Sequence, residues 1–191
     1  MAVRPVHSVD SRVSRAPAAL ALRLRSFETP DAGVVAGWAR TASEGYWLAP
    51  RTSPPLTAEK VCDWGRGGRQ QWVLCERGSA GVLLAYGELN LLNAARRSFW
   101  LGHIVVDPQR RGYGLGTEIT RRLLERAFVH CAASSVTLVV FPTNRSAVRA
   151  YQAAGMRADG FEDHEFEAYG RTERLARFMM TAAEWRRLGA G

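Results

Sequence analysis

Residues 111–116 read Arg-Gly-Tyr-Gly-Leu-Gly and lie between a strand-like run and a helix-like run. The run before them, Phe99–Val106, is largely apolar and closes at Asp107-Pro108, and an amphipathic segment follows from Thr117 to His130. Glycines at alternate positions let the backbone approach a ligand closely, and a helix that begins there offers several unpaired N–H groups. The stretch therefore suits a pyrophosphate, although a tight strand-to-helix turn without a ligand would use the same glycines.

Hydrophobic periodicity and turn signals place the other elements around this loop. Strand candidates over Gln71–Glu76, Val82–Asn90 and Phe99–Val106 follow one another with only turns between them, which predicts an antiparallel meander. Before the meander we expect a first strand over Leu20–Phe27, a helix with Thr29 as N-cap and Pro30 next, a proline-rich loop over Tyr46–Leu56 and a short helix over Thr57–Trp64. After the glycine loop and its helix we expect a strand over Val136–Phe141 and a helix over Arg145–Ala154, between Asn144 and Gly155. Two last strands, Met156–Phe161 and Arg174–Met180, are expected to flank an acidic loop over Glu162–Glu167.

This element order predicts a single α/β domain over residues 19–188, after a flexible tail over residues 1–18. We expect a mixed, mostly antiparallel sheet of about six to seven strands, with helices on both faces.

Composition excludes several classes of protein. The chain has 26 lysine and arginine residues against 18 acidic ones, but its arginines are dispersed and Lys60 is the only lysine, so no nucleic-acid partner is expected. No apolar run approaches the roughly 20 residues that span a bilayer, so no membrane partner is expected either. Cys62, Cys75 and Cys131 are odd in number and widely spaced. That pattern fits neither a disulfide framework nor a zinc site, so we expect no metal and a reducing, cytoplasmic location.

A second block, Asn144–Met156, reads NRSAVRAYQAAGM. It looks like the N-x-x-A-x-x-x-Y-x-x-x-G-(F/M) block of the GNAT superfamily of acetyl-coenzyme A-dependent N-acetyltransferases. Residues 111–116 also match the pyrophosphate signature of that superfamily, (Arg or Gln)-x-x-Gly-x-(Gly or Ala). The element order agrees over roughly residues 20–181, so the chain resembles this family and its sheet is expected to be of the GNAT type. No G-x-x-x-x-G-K-[ST] occurs, which excludes a P-loop, and G-x-G-x-G after a meander disfavours a dinucleotide fold.

The resemblance implies acetyl-coenzyme A as the donor. It implies that an open strand edge pairs with the pantetheine arm and that backbone N–H groups hold the pyrophosphate. The cofactor-binding residues implied in this way are Ile104, Val105, Val106, Arg111, Gly112, Tyr113, Gly114, Leu115, Gly116, Thr117, Asn144, Ala147 and Tyr151. It also implies that the Tyr151 hydroxyl is the general acid for the departing thiolate. The structural alternatives are a core aromatic for Tyr151 and a simple N-cap for Asn144.

The general base does not follow from the resemblance. Some relatives carry a glutamate five residues before the asparagine, where this chain has Val139. Glu88 and His103 are the remaining candidates, and a water relay without a single base is a third solution. The alternatives without a catalytic role are a salt-bridged Glu88 and a structural His103.

The implied function is transfer of an acetyl group from acetyl-coenzyme A to a primary amine, by direct attack in a ternary complex. The alternative is an acyl-coenzyme A-binding module that does not turn over. The acceptor stays open between a protein N-terminus, a lysine and a small-molecule amine, and oligomeric state stays open too, a homodimer included. The loop Trp47–Leu56 is a candidate cover for the acceptor site. The acidic run Asp159–Glu167 is either an attractor of cationic amines or a solvated hairpin.

Overall fold

The computed structural model describes residues 21–78 and 81–189. Within those ranges its main elements are β1 Leu22–Ser26, α1 Ala32–Ala36, α2 Ala42–Leu48, α3 Ala58–Asp63, β2 Gln70–Glu76, β3 Leu83–Asn93, β4 Ser98–Val106, α4 Leu115–Glu125, β5 Ser135–Val140, α5 Arg145–Ala153, β6 Arg157–Phe166, β7 Arg171–Thr181 and α6 Ala182–Gly189. The predicted tail over residues 1–18 lies outside the described residues. No helix in the described ranges is both long and apolar enough to cross a membrane.

The seven strands form one sheet in the order β1-β2-β3-β4-β5-β7-β6. The predicted meander of β2, β3 and β4 is confirmed, and the pairing of β4 with β5 is the parallel one among the described strands. One face carries α4, which buries Leu115, Ile119 and Leu123. The other face carries α1 and α3, which bury Val35 and Val61. The mixed, mostly antiparallel GNAT-type fold with helices on both faces is therefore confirmed.

The segment after β1 differs from its prediction. Thr29 is not the N-cap: Glu28 is, because its side chain and that of Asp31 cap each other's backbone N–H groups, and a 3-10 turn over Thr29–Asp31 precedes α1. The loop expected from Tyr46 begins inside a helix, since α2 runs over Ala42–Leu48. Thr41 starts that helix by accepting a hydrogen bond from the Glu44 N–H at 3.1 Å.

Three further boundaries differ from their predictions. The acidic segment predicted as a loop is mostly strand, because β6 pairs with arginines on β7, as in Asp163 opposite Arg174. The helix expected over Thr117–His130 begins two residues earlier, at Leu115, and its last turn, Arg126–His130, is π-helical. The last helix, α6, was not expected at all.

Candidate active site

The central strands part to form a cleft. β4 and β5 pair only over Ser98–Trp100 and Ser135–Thr137, and beyond Trp100 β4 pairs with β3 alone. The free edge of β4 therefore presents backbone N–H and C=O groups to an open groove, as an added strand requires. The cleft holds about 1050 Å³, and its walls come from both sides of this split.

The glycine loop builds one end of the cleft. Gly112 and Gly114 have φ values of +84° and +79°, a region that L-residues rarely adopt, and open space lies where a Cβ would stand. Gly114 is the N-cap of α4. The Glu118 N–H donates to the Gly114 carbonyl at 3.0 Å, so the N–H groups of residues 115–117 precede the hydrogen-bond ladder of the helix. This cradle fits an anionic phosphate group.

Most residues implied to bind the donor line the cleft together. They are Ile104, Val105, Val106, Arg111, Gly112, Gly114, Leu115, Gly116, Thr117, Asn144, Ala147 and Tyr151. Tyr113 is the exception, because its side chain points to solvent with 76% of the residue exposed, which leaves only its backbone in the loop. We call these residues the donor half of the cleft.

Helix α5 brings two of the predicted residues to the cleft wall. The Asn144 Oδ1 accepts hydrogen bonds from the Ala147 N–H at 3.2 Å and the Ser146 hydroxyl at 3.0 Å, so this residue is an N-cap that also faces the cleft. Tyr151 is 8% exposed, and its hydroxyl has no hydrogen-bond partner among the described residues. Burial raises the pKa of Tyr151 above its ordinary value, so the phenol stays protonated at neutral pH.

The two candidate bases form one hydrogen-bonded pair. The Nδ1 atom of His103 lies 2.8 Å from the Oε1 atom of Glu88, a carboxylate with no exposed surface. The buried carboxylate also accepts hydrogen bonds from the Tyr86 hydroxyl and the Asn90 amide, each at 2.9 Å. This network assigns the imidazole proton to Nδ1 and leaves Nε2 as an acceptor.

Of these two residues, only His103 reaches the cleft. It lines the cavity with 14% of its side chain exposed, whereas Glu88 is not part of the cavity wall. The imidazole stacks on the Trp64 ring at 4.1 Å, which fixes its plane. The backbone of His103 has φ +46° at a bulge of β4 opposite β3, and this bulge aims the side chain. Geometrically, Glu88 can act only through His103.

A contact between the glycine loop and α2 was missed by the sequence analysis. The Arg111 guanidinium forms an ion pair with Glu44 and donates to the Trp38 carbonyl at 3.0 Å. Burial opposes ionisation of Glu44, but the hydrogen bond and charge of Arg111, together with the hydrogen bond from the Arg40 N–H, hold the Glu44 pKa below its ordinary value. The Thr41-x-x-Glu44 spacing is a capping signal that could have revealed α2.

The opposite end of the cleft is built from side chains rather than backbone. Its wall comes from α2, from the residues that follow α2 and α3, and from parts of β3, β4 and β6. Among its side chains are Trp47, Arg51, Trp64, Arg69, Asn90, Trp100, His164 and Phe166. We call this end the acceptor half of the cleft, and Val139 lies in the wall beside it.

Comparisons with known proteins agree with this geometry. The acetyltransferase (GNAT) family model matches residues 29–156. The spermidine N-acetyltransferase of Vibrio cholerae in complex with coenzyme A and spermine has a similar fold, with a TM-score of 0.70 at 19% identity over 86% of this chain and 98% of that one. A chimera of the Vibrio cholerae enzyme and hSSAT has a TM-score of 0.70 at 20% identity over the same shares. The predicted class of enzyme, an acetyl-coenzyme A-dependent N-acetyltransferase, is confirmed. The chain belongs to the GNAT family of acetyltransferases.

Proposed function

We propose that this protein transfers the acetyl group of acetyl-coenzyme A to a primary amine by direct attack in a ternary complex, in the cytoplasm. The observation that carries the proposal is the Glu88–His103 pair, whose imidazole faces the same cleft as the hydroxyl of Tyr151. An acceptor base and a leaving-group acid on two walls of one cleft are what acyl transfer to an amine requires. Acetyl-coenzyme A supplies the acetyl group as an activated thioester.

The donor half holds the two ends of the donor with different groups. The N–H groups of residues 112–117 bind the pyrophosphate, with the positive end of the α4 dipole behind them. The free β4 edge at residues 104–106 pairs with the amides of the pantetheine arm. A backbone N–H at Val105 or Val106 stabilises the oxyanion of the tetrahedral intermediate.

His103 moves the proton that the acceptor must lose. The neutral amine forms the C–N bond, and the Nε2 atom of His103 accepts a proton from the nitrogen. Glu88 stabilises the resulting imidazolium, because a buried carboxylate beside a positive ring is a favourable charge pair. The hydrogen bonds from Tyr86 and Asn90 hold Glu88 in place.

Tyr151 protonates the leaving group, and afterwards His103 releases its proton to solvent while the Tyr151 phenolate takes one up. As the C–S bond breaks, its protonated hydroxyl donates to the coenzyme A thiolate. The elevated pKa of Tyr151 keeps that proton available at neutral pH.

The test measures release of the free coenzyme A thiol across a panel of primary amines, with wild type and His103→Gln. We expect at least one amine to raise thiol release, and we expect His103→Gln to lower its kcat/KM about 100-fold or more. The Kd for acetyl-coenzyme A should stay within about threefold of wild type, because His103 lies outside the phosphate cradle.

His130→Gln is the matched control, since His130 is exposed on the π-helical turn and outside the cleft wall. Tight acetyl-coenzyme A binding without thiol release for any amine would identify a binding module instead of an enzyme. Full activity of His103→Gln would mean that a water relay, and not His103, accepts the proton of the amine.

A further inference from the structure

We propose that the acceptor is a small-molecule amine that carries a carboxylate on an apolar or aromatic body, as free amino acids do. This inference rests on the proposed function, because it assumes that an amine enters the acceptor half. It names an acceptor class different from the polyamines bound by the similar Vibrio cholerae enzyme.

The charges of the cleft wall carry the first step. Among the described residues that line the cleft, the one carboxylate is Glu44, and it is engaged by Arg111 on the donor side. Arg51 and Arg69 belong to the acceptor half and have no carboxylate partner in the described residues. The acceptor half therefore has a net positive charge before a substrate binds.

Arg51 is exposed, and its guanidinium contacts an aromatic ring and an imidazole but no carboxylate among the described residues. Its Cζ lies 5.4 Å from the centroid of the Phe166 ring, and its Nη2 lies 3.4 Å from the Nδ1 atom of His164. The His164 Nε2 atom faces Glu162 at 3.2 Å, which assigns the ring proton to Nε2 and leaves Nδ1 to accept from Arg51. A planar guanidinium without a carboxylate partner in the cleft wall is suited to bidentate recognition of a carboxylate.

Arg69 adds a second free cation at the start of β2. It is exposed, it lines the cleft, and its neighbour Gln70 donates its N–H to the Asn90 Oδ1 at 2.9 Å. Asn90 also donates to Glu88, so this end of β2 is tied to the network that orients His103. The cationic end of the cleft is thus structurally connected to the base.

The remaining wall of the acceptor half is aromatic. Trp47, Trp64, Trp100 and Phe166 line it, which favours an apolar or aromatic substrate body. One face of the Trp64 ring is already covered by the stacked imidazole of His103. That face of the Trp64 ring is therefore not available for a cation–π contact with an ammonium group of the substrate.

A polyamine does not match this charge pattern. Each further ammonium group of a polyamine loses hydration in the cleft and calls for a carboxylate in return, and the one carboxylate among the described wall residues is engaged by Arg111. Two unpaired arginines would instead repel it, whereas they would attract a carboxylate. The shared fold with spermidine N-acetyltransferases, at 19–20% identity, does not extend this preference to the present chain.

The experiment compares amines that differ only by a carboxylate. Thiol release is measured with phenylalanine, tryptophan and leucine, and with their counterparts 2-phenylethylamine, tryptamine and 3-methylbutylamine, alongside spermidine. We expect the best carboxylate-bearing amine to exceed its counterpart in kcat/KM by about tenfold or more. Arg51→Gln and Arg69→Gln should each lower the kcat/KM for the carboxylate-bearing amine by about 10- to 100-fold. The kcat/KM for its counterpart without a carboxylate should change by less than about threefold.

Arg66→Gln is the matched control, because Arg66 pairs with Asp63 on the surface with 78% of its side chain exposed. Thermal unfolding of each variant separates a folding defect from a binding defect. Preference for spermidine, for the amines without a carboxylate or for a peptide N-terminus would overturn this inference and leave the proposed function standing. If Arg51→Gln and Arg69→Gln lowered kcat/KM equally for a carboxylate-bearing amine and for its counterpart, the inference would be overturned too. Absence of turnover with every amine would overturn both.

Discussion

The donor half and the acceptor half of the cleft are built on different principles. The donor half consists of a free strand edge, a glycine loop and the start of α4, so we propose that backbone groups bind the donor there. The acceptor half consists of side chains from short helices and loops, among them Trp47, Arg51 and Trp64. Backbone recognition ties one ligand to a fold, while side chains on loops can change without changing the fold. The donor can therefore be assigned from family membership, and the acceptor must be argued from individual residues.

The largest expected effect comes from removing the acid where the two halves meet. Tyr151→Phe should lower kcat by about 100- to 1,000-fold, because the thiolate then leaves without a proton donor. The acetyl-coenzyme A Kd should stay within about twofold, since the ring and its packing against Phe178 remain. Steady-state thiol release and calorimetry measure the two quantities. Retention of wild-type kcat would remove Tyr151 from the chemistry and leave it a core aromatic.

A change confined to the donor half should weaken donor binding alone. Gly114→Ala places a Cβ at φ +79° beside the phosphate cradle, so we expect the acetyl-coenzyme A Kd to rise about 30-fold, or ~2 kcal/mol. The ratio of kcat/KM values between two amines should not change. Gly170→Ala is the control, because Gly170 has φ +57° at the β6–β7 turn, outside the cleft wall. Equal loss of donor affinity in both variants would point to a general backbone effect.

An ion pair just before α1, outside the cleft wall, gives a pH-dependent prediction for the stability of the fold. Burial opposes ionisation of Asp31, but the two hydrogen bonds from Arg25, at 2.7 and 2.8 Å, together with the one from the Glu28 N–H at 2.9 Å, lower the Asp31 pKa. A carboxyl whose folded pKa is depressed stabilises the fold above its unfolded value of about 3.9, and this contribution is lost as the pH falls through the folded value. Asp31→Asn should cost about 1.5–2 kcal/mol at pH 7.

Urea unfolding between about pH 2 and pH 7 measures this effect, and the difference between Asp31→Asn and wild type should shrink toward the acid end. Asp63→Asn is the control, since its ion pair with Arg66 is exposed and should contribute less than about 0.5 kcal/mol. A constant difference across the whole pH range would show that the Asp31 charge does not carry the stabilisation.

The smallest effect is expected at the contact that joins the two halves. Glu44→Gln removes a carboxylate from the cleft wall and frees the Arg111 guanidinium for the pyrophosphate. The acetyl-coenzyme A Kd should fall about two- to fivefold at low salt, and the gain should shrink as salt screens the charges. Glu59→Gln, an exposed position in the first turn of α3, is the control. Weaker donor binding in Glu44→Gln would mean that α2 positions the glycine loop.

The backbone geometry of the glycine loop and of the Asn144 cap could be predicted from the sequence, because its signals are local. Gly112, Gly114 and Asn144 each occupy a backbone position that only a few residue types suit, and all three do so in the structure. The pairing of Glu88 with His103 was not predictable, although both were candidates. It depends on a bulge at His103, next to Gly102 and opposite Gly87, and on the register between β3 and β4.

The acceptor half was predicted poorly for related reasons. Prolines at residues 50, 54 and 55 suggested a loop and obscured α2, whose capping signal, Thr41 with Glu44, is short. The acidic strand β6 contradicts ordinary strand propensity. It forms because Asp159 and Glu162 pair with Arg177 on the neighbouring strand. The helix α2 thus rests on a short local signal, and β6 on partners on the next strand of its hairpin.

The most direct test of the account is a crystal structure with coenzyme A bound. We predict the pyrophosphate on the N–H groups of residues 112–117, the pantetheine arm along residues 104–106, and the sulfur atom within about 4 Å of the Tyr151 hydroxyl. The Nε2 atom of His103 should face the same space from the opposite wall. A sulfur atom directed away from Tyr151 and His103, or a pyrophosphate bound elsewhere, would contradict the division of the cleft into a donor half and an acceptor half.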